Sequence, residues 1–339
     1  MISRPVLSRI SSLLGIAIGI AGVAFVVTTL VSKWDEVSDA FSQVDAINLI
    51  LSLLLGLAAM TSIGWIWVTM IVARSHNVRH RNAMSWYFTG QLGKYVPGGI
   101  WPIVGRAELA VRNGIPRLDA YASTGLSLVT TYAAAVVTIG ISAAATTGHR
   151  LIAVLIAVGL IAAYAAFSQP SLRSVIIRVA SRISSSASSL TDPKKFARLT
   201  VLHVPAWILM SLSTSVTATA FGANIGITDM LFITTTSWLA GFVVVGVPGG
   251  IGVREAVFTS LAGGIIGTPM AVSLALMSRV VFIAVDLSGA LISNVISRLN
   301  SSAKSLEAIF RYLLTLAAQT LHAQNAYQEP THIPHDVTT

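Results

Sequence analysis

The chain has 339 residues, is 54% hydrophobic and only 10% charged, and carries a formal net charge of +9. Soluble domains average about 25% charged residues, so this composition, with a mean hydropathy of +0.76, excludes an ordinary soluble domain and predicts an all-α, polytopic membrane protein. There is no cysteine, which excludes disulfides and thiol chemistry. The basic residues fall in short connectors between apolar runs, a pattern of orientation signals facing anionic lipid headgroups rather than of nucleic-acid binding.

In chain order, residues 10–31 read as a retained first span. The run is too long for a signal-peptide core and has no small-residue cleavage site. Residues 46–72 are a second span, long enough to tilt. Residues 83–104 are apolar but interrupted by Gly90, Gly93, Lys94 and Pro97-Gly98-Gly99, and read as a re-entrant hairpin. Residues 120–146 and 151–167 are separated only by Thr147-Gly-His-Arg150, which predicts an antiparallel pair. The connector 168–198 is polar and basic and reads either as a helix lying on an anionic leaflet or as a solvated, serine-rich loop. Residues 199–221 span again, with Pro205 inside. Residues 230–247 run into a second Pro-Gly-Gly, 253–267 run away from it, and 271–296 form the last clear span. The tail 298–339 is expected to be cytoplasmic, with a weak amphipathic helix around 306–321 and disorder from Ala323. Its His322, His332 and His335 have no shared register for a metal.

The two Pro-Gly-Gly sites share more than three letters. Val96-Pro-Gly-Gly-Ile100 recurs as Val247-Pro-Gly-Gly-Ile251. Pro and Gly loosen helical backbone, and a freed peptide group in hydrocarbon costs several kcal/mol. Broken backbone at membrane depth is therefore tolerated only beside protein or a water-filled cavity. With both elements taken as hairpins, nearly all arginines and lysines fall on one side, and only Lys33 and Arg150 on the other. That excess places both termini in the cytoplasm. The first hairpin then enters from the cytoplasm and the second from the exterior. The membrane domain 1–297 thus reads as two inverted repeats, about 46–167 and 199–297. Discontinuous helices at matching positions of inverted repeats point to a substrate site near the midplane. Pro97, Gly98, Gly99, Pro248, Gly249, Gly250 and Gly252 are the expected hairpin or gating positions.

Charges inside apolar sequence mark the site itself. An arginine or aspartate at mid-bilayer costs at least about 2.5–3.5 kcal/mol, yet Arg254, Glu255, Arg279 and Asp286 lie in or beside the second repeat's apolar runs. Arg279 and Asp286 are seven residues apart and share a helix face. Two readings stand: Arg254 and Arg279 bind a lipid phosphate with Glu255 and Asp286 holding them, or there is a structural ion pair, Arg279 with Asp286 or Arg254 with Glu255. Lys94 and Arg106 are the matching cations of the first repeat, although Lys94 also fits a side chain snorkelling to the interface. Trp86, Tyr87, Tyr95 and Trp101 read as interfacial anchors, and His203 as a hydrogen-bonded structural histidine. There is no nucleotide motif, no metal-ligand spacing and no nucleophile–base set, so no cofactor, metal or catalytic residue is expected.

At Lys94-Tyr-Val-Pro-Gly-Gly99 followed by Arg106, and at Val247-Pro-Gly-Gly-Ile-Gly-Val-Arg-Glu-Ala256 followed by Arg279, the chain resembles the transmembrane flippase domain of lysylphosphatidylglycerol synthases and its stand-alone relatives. The resemblance covers roughly residues 46–296. It implies re-entrant helices from both faces and movement of a lipid between leaflets, an aminoacyl-phosphatidylglycerol in the two-domain members. The short segment after Ile296 leaves no room for a synthetase, so synthesis of that lipid is not expected here. Residues 121–137 also lack the acidic residue that related sequences often carry. Stand-alone relatives are associated with polyprenyl-phosphate sugars in envelope glycan assembly. The expectation is a translocase for a phosphate-containing lipid in the cell membrane. An aminoacyl-phospholipid flippase and a non-transporting partner of a glycosyltransferase are the alternatives. The small residues of 121–145 also suit packing between copies of the chain.

Overall fold

The computed structural model describes residues 44–73, 78–95, 100–169, 192–244 and 248–328, with a few positions between 28 and 35. The expected span 10–31, the first Pro-Gly-Gly itself (Pro97, Gly98, Gly99) and most of the connector 168–198 lie outside the described residues. The helices are α1 (Ala46–Val72), α2 (His80–Gln91), α3 (Trp101–Arg112), α4 (Arg117–Ala145), α5 (Arg150–Ser168), α6 (Pro193–Ala220), α7 (Ile227–Val243), α8 (Val253–Ile266) and α9 (Thr268–Gln328). No strand occurs among the described residues. Among the described residues, four stretches are long and apolar enough to cross a membrane: Ala46–Val72, Arg117–Ala145, Pro193–Ala220 and Thr268–Leu299. The protein is a multi-pass membrane protein.

Helix boundaries follow from local chemistry. Asp45 caps α1, accepting from Ile47 N at 2.9 Å and from Asn48 Nδ2 at 2.7 Å. Asp192 caps α6 in the same way, accepting from Lys194 N at 3.0 Å with Pro193 just inside the helix. That cap starts α6 six residues before the expected 199, so Lys194, Lys195 and Arg198 lie in its first turns rather than in a loop. The last helix also exceeds its expected end. It continues through 298 and past Ala323 to Gln328, because no Gly or Pro interrupts residues 290–328. The chain divides into two compact units, Met1–Ser293 and Asn294–Thr339, and the features below lie in the first.

The long helices form the frame. Asp45 N donates to Ala220 O at 2.9 Å, joining the start of α1 to the end of α6. Ser52 Oγ donates to Ser213 O and Ser213 Oγ donates to Ser52 O, both at 2.8 Å. At mid-length Ala59 and Ala206 are both fully buried. The two helices are therefore antiparallel and aligned centre to centre. Trp207 Nε1 donates to Thr131 O at 2.9 Å and Trp67 Nε1 to Thr124 Oγ1 at 2.9 Å, so α4 runs parallel to α6 and antiparallel to α1. Trp67, Tyr87, Trp207, Met210, Phe282 and Val285 fill the space between them.

Two helical hairpins sit within this frame. Gly90 of α2 lies against Arg106 of α3, and Gly93 lies against Trp101, so the chain doubles back between them. Gly241 of α7 lies against Gly250 and Arg254, and α7 and α8 double back likewise. Helices α2 and α3 have 12 residues each, about 18 Å at 1.5 Å per residue, and neither spans a hydrocarbon core of about 30 Å. Gly250 has a φ of +66°, and a Cβ there would stand 2.8 Å from Gly241 Cα. Gly250→Ala therefore meets both a disfavoured backbone and a backbone clash, and is expected to destabilise by about 1–3 kcal/mol. Gly264→Ala, in α8 with nothing within 4 Å, is expected to be neutral or stabilising by up to about 1 kcal/mol. Thermal unfolding of the two variants in detergent checks the contrast.

Candidate functional site

The hairpin tips meet. A Cβ on Gly249 would stand 3.5 Å from Lys94 O and 3.4 Å from Arg279 Nη2. Gly249 has φ +56° and Gly252 φ +81°, so the turn after Pro248 winds through left-handed backbone that favours glycine. Behind the tips lies a cavity of about 400 Å³. Both halves of the chain line it: α1, α2, α3 and α4 on one side, α6, α7, α8 and α9 on the other.

Its polar wall is cationic. Lys94, Arg106, Arg254 and Arg279 all face the cavity, and no carboxylate does among the described residues. The two acidic side chains stand behind this wall. Glu255 Oε1 accepts from Arg279 Nη1 at 2.5 Å, and its Oε2 accepts from Gly252 N at 2.7 Å. Glu255 therefore caps α8 and holds a cation with one carboxylate. Asp286 Oδ2 lies 2.6 Å from Lys94 Nζ and accepts from Tyr95 OH at 2.5 Å. Glu255 and Asp286 are almost completely buried, while Lys94 and Arg279 keep 17% and 18% of their side chains exposed. All six residues expected at the site converge, the four cations on its surface and the two carboxylates in support.

The pairing differs from the sequence-based ion-pair reading. Arg279 pairs with Glu255 rather than Asp286, because seven residues advance a helix by about 10 Å, beyond the reach of direct contact. Arg254 does not pair with Glu255, because adjacent residues on a helix point about 100° apart. Lys94 does not snorkel. It turns inward to Asp286 across 192 positions of sequence.

Arg106 and Arg254 have no carboxylate partner among the described residues, and are 4% and 7% exposed. Aromatic faces hold them instead. Arg254 lies 4.0 Å from the Trp238 ring centroid and 5.5 Å from that of Phe282. Arg106 lies 5.7 Å from Trp67 and 5.6 Å from Tyr87. Such contacts contribute about 0.5–2 kcal/mol each and leave the charge intact. Hydrogen bonding is thin: Arg254 Nη2 reaches Ser278 Oγ at 3.3 Å and Arg106 Nη2 reaches Thr124 O at 3.4 Å. Among the described residues, Arg106 Nε and Trp238 Nε1 are buried donors without partners.

The aromatic assignments change accordingly. Tyr87 is fully buried and lines the cavity, and Tyr95 braces Asp286 at its edge, so neither is an interfacial anchor. Trp86 is also buried, whereas Trp101 is exposed. Trp238, which sequence reading passed over, is the platform under Arg254, with Lys94 Nζ 5.6 Å from its centroid. Its visible signal was slight: a lone indole one turn before Gly241 in an apolar run. His203 is buried and its Nδ1 meets Leu199 O at 2.8 Å, but its Nε2 has no partner. Among the described residues no cluster of three or more His, Asp or Glu could hold a metal.

This arrangement can bind an anion in a low-dielectric, aromatic-walled cavity and present apolar surface beside it. Ile100, Phe242 and Val243 line the cavity and are also exposed to the surroundings. The ring of Phe242 stacks on that of Tyr132 at 3.7 Å between centroids. No individual curated protein sequence matches the chain. A family model does: that of the lysylphosphatidylglycerol synthase TM region matches residues 12–287. The match spans both hairpins and every cavity-lining residue, and the chain belongs to the lysylphosphatidylglycerol synthase transmembrane-region family.

Proposed function

We propose that the protein is a translocase that moves a phosphate-containing lipid between leaflets, its headgroup passing through the cavity between the hairpins. The observation that carries this reading is the cationic wall, on which Arg106 and Arg254 face the cavity without carboxylates. Arginine suits phosphate through its planar fork of donors. The exposed apolar rim at Ile100, Phe242 and Val243 gives the lipid tail a place to remain in hydrocarbon.

In this reading the two hairpins are re-entrant and belong to inverted repeats. Two features support it. Each half runs long helix, short helix, Pro-Gly-Gly, short helix, long helix. The leading helices of the halves, α1 and α6, lie antiparallel. Both termini face the cytoplasm of the cell membrane, following the excess of arginine and lysine. A polyprenyl-linked sugar phosphate is the preferred class. An aminoacyl-phosphatidylglycerol would bring a cationic group, and the carboxylates nearest the cavity, Glu255 and Asp286, are already committed to Arg279 and Lys94. A non-transporting partner of a glycosyltransferase would have no use for such a cavity.

Reconstitution tests the reading. Proteoliposomes holding the full chain should move a polyprenyl diphosphate sugar at least tenfold faster than protein-free vesicles, with lysylphosphatidylglycerol near background. Movement of lysylphosphatidylglycerol alone would make the aminoacyl lipid the substrate. Movement of neither, from protein shown to be folded, would sink the translocase.

A further inference from the structure

Charge balance at the cavity narrows the ligand. A buried ion without a counter-charge is strongly unfavourable in low dielectric, and the chain has answered this cost for two of its four cavity cations. Asp286 neutralises Lys94, and Glu255 neutralises Arg279. Arg106 and Arg254 are left with aromatic faces and one long hydrogen bond each. They come from opposite hairpins, α3 and α8, and both face the same space.

The donor count points the same way. Among the described residues, Arg106 Nε and Trp238 Nε1 are buried and unpartnered on cavity-lining residues. Buried donors in native proteins almost always find acceptors. The lining residues supply no carboxylate to accept from them. A cluster of acceptor oxygens reaching both hairpins at once would supply that partner. A phosphodiester carries a single negative charge and leaves one of the two arginines uncompensated. A diphosphate diester carries two charges, spread over two phosphates. A phosphate monoester carries about 1.5 to 2 at neutral pH.

We infer that the cavity selects a lipid whose headgroup carries two negative charges, a lipid diphosphate or lipid phosphate monoester, with Arg106 and Arg254 as its paired counter-charges. The inference rests on the lipid reading of the cavity and specifies its substrate class. Single-charge phospholipids, phosphatidylglycerol included, are the poor ligands.

Competitive binding to the purified full chain in detergent tests this, read by native mass spectrometry. The probes are a polyprenyl diphosphate sugar, a polyprenyl monophosphate, a polyprenyl monophosphate sugar and phosphatidylglycerol. The first two should bind at least tenfold tighter than the last two. Arg106→Gln and Arg254→Gln should each reduce that preference to threefold or less. A wild-type measurement guards against variants that fail to fold. Between pH 5 and pH 7.5 the monophosphate gains its second charge, with a second pKa near about 6, so its binding should strengthen severalfold while that of the diphosphate sugar stays flat. Equal or tighter binding of the single-charge lipids, or no strengthening of the monophosphate across that pH range, overturns the inference. Selective binding without movement between leaflets would defeat the translocase and leave the charge rule standing. Movement without selectivity would do the reverse.

Discussion

Glu255→Gln is expected to lower stability by about 3–5 kcal/mol, the usual cost of removing one partner from a buried ion pair. The glutamine still offers an oxygen to Gly252 N, so the α8 cap survives and the loss isolates the charge. What remains is Arg279, 18% exposed and without its counter-ion. Thermal unfolding in detergent checks the size of the effect. Adding Arg279→Gln should recover most of the stability, because the stranded charge is then gone. Transport should not return with it, since Arg279 lines the cavity. If the single variant unfolds like wild type, the pair is not holding the hairpin.

Asp286→Leu should be at least as damaging. It strands two groups at once, the Lys94 ammonium and the Tyr95 hydroxyl, both of which use Asp286 Oδ2. The expected cost is again about 3–5 kcal/mol for the broken pair, with up to about 1 kcal/mol more for the part-buried Tyr95 hydroxyl left unpaired. The triple variant with Lys94→Met and Tyr95→Phe replaces the whole polar unit with apolar groups of similar size. Such replacements are often neutral or stabilising, so its melting temperature should return close to wild type while lipid movement stays impaired. A triple variant as unstable as Asp286→Leu would mean that the aspartate does more than hold Lys94 and Tyr95.

Sequence patterns reached the elements because they depend on local chemistry. The runs at 46–72, 120–146 and 271–296 are long enough and apolar enough to announce α1, α4 and the membrane part of α9. Pro248 with its glycines announced the break before α8. Residues of the site were legible for the same reason: an arginine or aspartate in apolar sequence is costly enough to need a purpose. Their partners were not legible, because pairing is a long-range property. Arg279 and Asp286 look like companions along one helix, yet each finds its partner on another element. Trp238 and Tyr87 were hidden by ambiguity, since an aromatic side chain in a membrane sequence fits an interface as well as a cavity wall. A helix around 306–321 was legible, but its continuity with the last span and its extension past Ala323 to Gln328 were not, because the polar residues at either side were taken as its ends although none of them breaks a helix.

The bond between Lys94 and Asp286 also sets a timetable for biosynthesis. At about 5–20 residues per second, the ribosome needs about 10–40 s to travel from Lys94 to the aspartate that neutralises it, 192 residues later. Throughout that interval Lys94 is without the counter-ion it has in the folded chain. The pair that joins this hairpin to α9 cannot form until α9 follows. The closing contact of the site is thus a late event of assembly, and a chain truncated before α9 keeps Lys94 without its partner.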